Sequence, residues 1–226
     1  MLQVFLSNLR NGAGMTPLDI LQLMLAYAVV LFLCLPVHEL AHGLAAHWCG
    51  DDTAKWQGRL SLNPFRHLDV LGTVMILTVG IGYAKPVPVN RYRLRNPKRD
   101  MILVALAGPL SNFLMAAVAM FFYLLIAYNG AVGLVTDTVL TLLSIIISVN
   151  ISLMVFNLLP IPPLDGSRLW STLLPGRWSY MLEQYSQYIS FALMALIFSG
   201  ALDMPLFYLR SGVTRLLFAM FSWMFV

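Results

Sequence analysis

From Ile20 to Pro36 the chain carries no charged residue, and directly behind this run stands His38-Glu39-Leu40-Ala41-His42. A long uncharged stretch is the signature of a helix crossing a bilayer, where every backbone N–H and C=O must be satisfied within the segment. On a helix, residues four apart lie one above the other on one face. Two imidazoles at that spacing can hold one zinc ion, with the intervening glutamate beside it as a general base. Ionisable groups at membrane depth are costly and mark functional sites by default. A helix end that merely carries polar residues into the interface would leave the metal spacing an accident.

Composition extends the membrane argument to the whole chain. Of 226 residues, 59% are hydrophobic and 11% charged, against about 25% charged in soluble domains. The expected fold is an all-α polytopic membrane protein, a bundle of about four to six transmembrane helices. Only Arg10 precedes the first apolar run, whereas Lys55, Arg59, Arg66, Lys85, Arg91, Arg93, Arg95, Lys98 and Arg99 all lie between the first and second. Between two spans such a cluster marks a cytoplasmic loop, not a nucleic-acid surface. Cys34 lies within a span and Cys49 just beyond it, so no disulfide framework is implied.

Along the chain, residues 1–16 suggest a short interfacial segment. Span one starts near Pro17, a residue suited to a first helical turn, and reaches about Trp48. Val70 to Ile81 is apolar but short, which fits a re-entrant segment better than a crossing. Gly82-Tyr83-Ala84-Lys85-Pro86-Val87-Pro88-Val89-Asn90 follows, and its prolines forbid a helix. We expect an extended, β-like strand over Ile81–Asn90 near the site, with Tyr83, Ala84 and Lys85 as pairing positions for a substrate strand. Span two covers Met101–Tyr128, with Gly108-Pro109 and Ser111-Asn112 read as a packing seam. Span three covers Leu134–Leu159, a further moderate span Tyr180–Leu202, and a last helix Pro205–Val226.

A catalytic zinc site needs a third protein ligand. Trp48 and Ala45 occupy the positions where a metzincin would place its third histidine and its glycine. His47 falls on the opposite helix face from His38, and His67 and Asp69 are alternatives. If the basic loop is cytoplasmic, spans two and three return Asp165 to the same side as His42, after the turn Pro160-Ile161-Pro162-Pro163-Leu164. Position alone leaves Asp165 open between metal ligand and helix N-cap.

His38-Glu39-Leu40-Ala41-His42 together with Asn157-x-x-Pro160-x-x-x-Leu164-Asp165-Gly166 resembles the site-2 protease family of intramembrane zinc metalloproteases. Residues 82–90 and Ala107-Gly108-Pro109-Leu110-Ser111-Asn112 fit the same resemblance, which covers roughly residues 20–170. It implies one zinc per chain held by His38, His42 and Asp165, with Glu39 as catalytic base and Asn157 orienting substrate or stabilising the oxyanion. It further implies cleavage of transmembrane protein substrates towards the cytoplasmic side of a cell membrane. No stretch is long and polar enough for a PDZ or CBS domain, so residues 1–226 read as one minimal, prokaryotic-type domain, with a core at about 17–170 and C-terminal helices at 171–226. Two rivals remain. One is a non-enzymatic metal-binding or transport protein, which needs no Glu39. The other is a membrane protease with a glutamate as third ligand, for which only Glu183 is available.

Overall fold

Pro36 sets the shape of the first span in the computed structural model, which describes residues 17–79, 82–130 and 133–225. Proline has no N–H to give to the carbonyl of Phe32. Just ahead of it the helix widens into a π-turn over Val30–Cys34, where Leu35 N–H reaches back five residues to the Val30 carbonyl. Such turns are uncommon and gather at functional sites. The turn joins α1 (Pro17–Val29) to α2 (Leu35–Trp48), and the two form one apolar crossing, Ile20–Trp48.

Two further helices are long and apolar enough to cross a membrane: α5 (Pro97–Tyr128) and α6 (Leu134–Asn157). The 29 residues of Ile20–Trp48 and the 32 of α5 span about 43 and 48 Å, well past a hydrocarbon core of about 30 Å. Both are therefore longer than the hydrocarbon they cross, and on α2 the histidines lie in the last third of the crossing. Small residues on α5 (Ala116, Ala117, Ala119) let it pack closely on Ile147, Ile151 and Val155 of α6 and on Leu217. A second buried group, Ala26, Val29, Cys34 and Ile145, ties the first crossing to α6.

Between the first and second crossings lie α3 (Thr53–Trp56), a 3₁₀ turn at Pro64–Arg66, the short helix α4 (Val70–Val79) and a second 3₁₀ turn at Arg91–Arg93. At 10 residues, α4 is about 15 Å long and cannot cross, as its sequence suggests. The expected strand Ile81–Asn90 is corrected. Ile81 lies outside the described residues, and from Gly82 onward the only pairing among the described residues is one antiparallel bridge, Leu68↔Ala84. The ladder stops because Pro86 and Pro88 lack donors and the Val87 N–H between them is drawn to Glu39 at 2.8 Å.

After α6 the chain turns through the prolines into α7 (Asp165–Leu173), then α8 (Gly176–Gln184), α9 (Ser186–Phe198) and α10 (Asp203–Ser222). The expected span Tyr180–Leu202 does not form as one helix. It breaks at Tyr185, and Gly200 takes a left-handed conformation (φ +73°) that ends α9. With 13 residues α9 is too short to cross. It meets α10 at a bend of 84°, and only as a bent pair do the two make a fourth crossing. Among the described residues three helices are thus long and apolar enough to cross, or four if that pair counts as one.

Candidate metal centre

His38 and His42 lie on one face of α2, buried, with their Nε2 atoms 3.1 Å apart. Asp165 Oδ2 stands 3.1 Å from His38 Nε2 and 3.0 Å from His42 Nε2. Asp165 is the first residue of α7, one past the N-cap position held by Leu164, and its carboxylate turns to the imidazoles. Burial pushes that carboxyl upward, but hydrogen bonds to His38 and His42 outweigh it and hold Asp165 below the usual carboxylate range. These three side chains are positioned to bind a metal ion. Donors about 2.0–2.1 Å from a tetrahedral zinc stand about 3.3 Å apart, so the observed spacing needs only a few tenths of an ångström of adjustment.

The wall opposite α2 is α5. A Cβ at Gly108 would fall 2.3 Å from His42 Nε2 and 2.5 Å from His38 Cε1, so only glycine fits against the rings. His42 Nδ1 lies 2.7 Å from the Val104 carbonyl and donates its proton there, which leaves Nε2 free to face the cluster. Asn112, wholly buried on the same helix, lies with Nδ2 3.0 Å from His38 Nδ1.

Glu39 follows His38 on the half-buried side of α2, and its Oε2 accepts the Val87 N–H. The segment carrying Val87 is held at both ends. The buried Arg59 guanidinium donates to the carbonyls of Arg66, Lys85 and Pro86, and Asp51 accepts the Asn90 N–H at 2.5 Å. Arg59 also feels the negative charge of Glu39. Three fixed points at 85–86, 87 and 90 hold the extended segment beside the glutamate.

Other candidates fall elsewhere. His47 pairs with Asp52 at the helix end. His67 is buried, with Nε2 2.6 Å from the Ser61 carbonyl, and anchors the loop. Asp69 caps α4 through the Gly72 N–H at 2.9 Å. Asn157 closes α6 half-buried, and among the described residues no hydrogen bond reaches its amide. Sequence reading assigned no site role to Asn112, Val104, Arg59, Asp51 or Val87. Asn112 carried one usable signal, a polar side chain within an apolar crossing.

The family model described as Peptidase family M50 matches residues 26–131 and 125–199. A Bacillus subtilis (strain 168) protein named "Putative zinc metalloprotease YwhC" is 43% identical over 170 residues, covering 74% of this chain and 78% of that protein. No solved structure matches significantly.

Proposed function

The chain belongs to peptidase family M50 and is a membrane zinc metalloprotease, and from that premise we propose that it cuts membrane-protein substrates within or near their transmembrane segments, as in regulated intramembrane proteolysis. What carries this reading is the meeting of His38, His42 and Asp165 at the end of an apolar crossing, with Glu39 on the same helical turn. In it, His38 and His42 would hold the metal through Nε2 and Asp165 through a carboxylate oxygen. When bound there, zinc supplies Lewis-acid polarisation of the scissile carbonyl and makes water acidic enough to lose a proton near neutral pH.

The chain's own residues do the rest. Glu39 takes one proton from the attacking water and returns it to the departing nitrogen, so the C–N bond breaks to leave a carboxyl and an amine. The Val87 N–H engages Oε2, which leaves Oε1 for the proton. Asn157 is assigned to the developing oxyanion, where a well-aimed donor contributes about 2.7–4 kcal/mol.

A transmembrane helix must unwind locally to be cut, exposing backbone groups that cost several kcal/mol each in lipid. The segment at Ala84 can take these up. Because Lys85 N–H bonds the His67 carbonyl at 2.7 Å, Ala84 and Leu68 form the non-hydrogen-bonded pair of the bridge. The Ala84 N–H and C=O therefore face the other edge, open to an added strand, while the Lys85 donor is already engaged. The seven basic residues between the first two crossings, with Lys98 and Arg99 in the first turn of α5, support a cytoplasmic position for this loop and the site.

The test is cleavage of a model transmembrane peptide by the purified chain, with products identified by mass spectrometry. Wild type cuts and Glu39→Gln binds zinc equally but does not, because glutamine keeps the shape and cannot take the proton. Full cleavage by Glu39→Gln would remove Glu39 from its assigned role. Zinc binding by a wild type that cuts nothing would favour the metal-handling alternative.

A further inference from the structure

We propose that Asn112 is a positioning residue for the metal, its side-chain carbonyl accepting the Nδ1 proton of His38 and so fixing the tautomer that leaves Nε2 free to bind. The proposal rests on the assignment of His38, His42 and Asp165 as ligands.

A neutral imidazole carries one ring proton, so an Nε2 that binds a metal requires the proton on Nδ1, and that proton requires an acceptor. His42 meets the requirement through the Val104 main-chain carbonyl at 2.7 Å. Among the described residues no main-chain carbonyl bonds His38 Nδ1. Its partner is Asn112, wholly buried, with Nδ2 at 3.0 Å. In that orientation the amide is the donor, the ring proton sits on Nε2, and His38 has no lone pair to offer. At the same time Asn112 Oδ1 is buried with no hydrogen-bond partner among the described residues. A turn of the amide remedies the first and gives Oδ1 a partner, while Nδ2 moves to the place that Oδ1 held. The two ends of the amide are nearly the same size, and a half-turn of the group exchanges them. The orphaned oxygen then accepts from His38 Nδ1–H, and Nε2 is freed toward Asp165 and His42.

The choice of residue also follows from the surroundings. Acceptors behind metal-bound histidines fix ring orientation and raise ligand basicity, and their loss costs about 10–100-fold in metal affinity. An aspartate would do this too, but it would add a charge to a membrane-spanning helix beside Asp165 and Glu39. An amide carbonyl accepts without that charge.

The two roles of the amide separate in the Asn112→Asp variant, since a carboxylate accepts but cannot donate. Zinc affinity is measured on the full, metal-stripped chain by competition with a chelator. Asn112→Ala is expected to bind about 10–100-fold more weakly, and Asn112→Asp as tightly as wild type or more so. An Asn112→Ala affinity within about threefold of wild type, or an Asn112→Asp as weak as Asn112→Ala, overturns the proposal. His38→Ala in parallel separates this from the ligand assignment: if it keeps wild-type affinity, the assignment itself has failed. Circular dichroism and size exclusion of the metal-free variants check folding, and if only one folds, its comparison with wild type decides. Should neither fold, nitrogen-15 histidine spectra of the zinc-loaded wild type decide. A His38 Nδ1 proton that exchanges slowly with solvent supports the proposal, and rapid exchange overturns it.

Discussion

A single methyl group at Gly108 tests whether the two imidazoles form the working centre. The Cβ of Gly108→Ala would stand 2.3 Å from His42 Nε2, 2.5 Å from His38 Cε1 and 2.7 Å from His42 Cε1, where ordinary contact begins near 3.4 Å. The rings must therefore retreat by about 1 Å, the misplacement that typically costs about 100-fold in rate. Neither can do so freely, because His42 is tied to the Val104 carbonyl and His38 to Asn112. Overpacking of this kind costs about 1–3 kcal/mol of stability, so the variant should still fold. Gly212→Ala on α10 is the control, since among the described residues nothing beyond its own stretch of helix backbone lies within 4 Å of the added Cβ. Zinc content by atomic absorption and cleavage of a transmembrane peptide are measured on both. We expect Gly108→Ala to fold, to hold less zinc and to cut about 100-fold more slowly, while Gly212→Ala matches wild type. A Gly108→Ala protein with full zinc and full rate would refute the placement of the centre against α5.

Ala84→Pro removes the N–H on the open edge without touching the bond from Lys85 N–H to the His67 carbonyl. It should keep zinc, lose cleavage of a stable transmembrane helix and retain more activity on a substrate already broken by Gly-Pro. Equal effects on both substrates would argue against strand addition. For orientation, single cysteines at the exposed Arg95 and Asn129, in a background lacking Cys34 and Cys49, are probed with an impermeant thiol reagent in intact cells. Asn129 is preferred to Gly130, whose φ of +66° disfavours a side chain. Position 129 should label and position 95 should not; the reverse pattern would place the active site on the outer side.

The parts of the site that are local in sequence were legible. His38 and His42 are four residues apart on one helix, and helical periodicity alone puts them on one face. Asp165 is 127 residues from His38. Position left it open between cap and ligand, because either use begins with an aspartate after a proline turn, and only the folded chain brings its carboxylate to the rings. The contacts of Asn112 and Val104 with the histidines were out of reach for a related reason. Their role depends on which face of α5 meets α2, and α5 is apolar nearly all round, with small residues on several sides. The loop was half legible. Its prolines foretold extended backbone, but the bond from Val87 N–H to Glu39, which ends the pairing, joins residues 48 apart. At the C-terminus, the apolar residues after Gln187 suggested a span Tyr180–Leu202 despite its polar start, but the backbone breaks at Tyr185 into α8 and α9, and α10 follows at a sharp bend.

The central claim is that His38, His42 and Asp165 together hold the zinc, and X-ray absorption at the zinc K-edge reads the ligands directly. On the purified, zinc-loaded chain the spectrum should show the multiple scattering of two imidazoles, with the remaining ligands light atoms and no sulfur. The Asp165→Ala protein should lose an oxygen ligand or the metal altogether. Sulfur scattering from Cys34 or Cys49, a single imidazole, or an Asp165→Ala spectrum and zinc content identical to wild type would contradict the account.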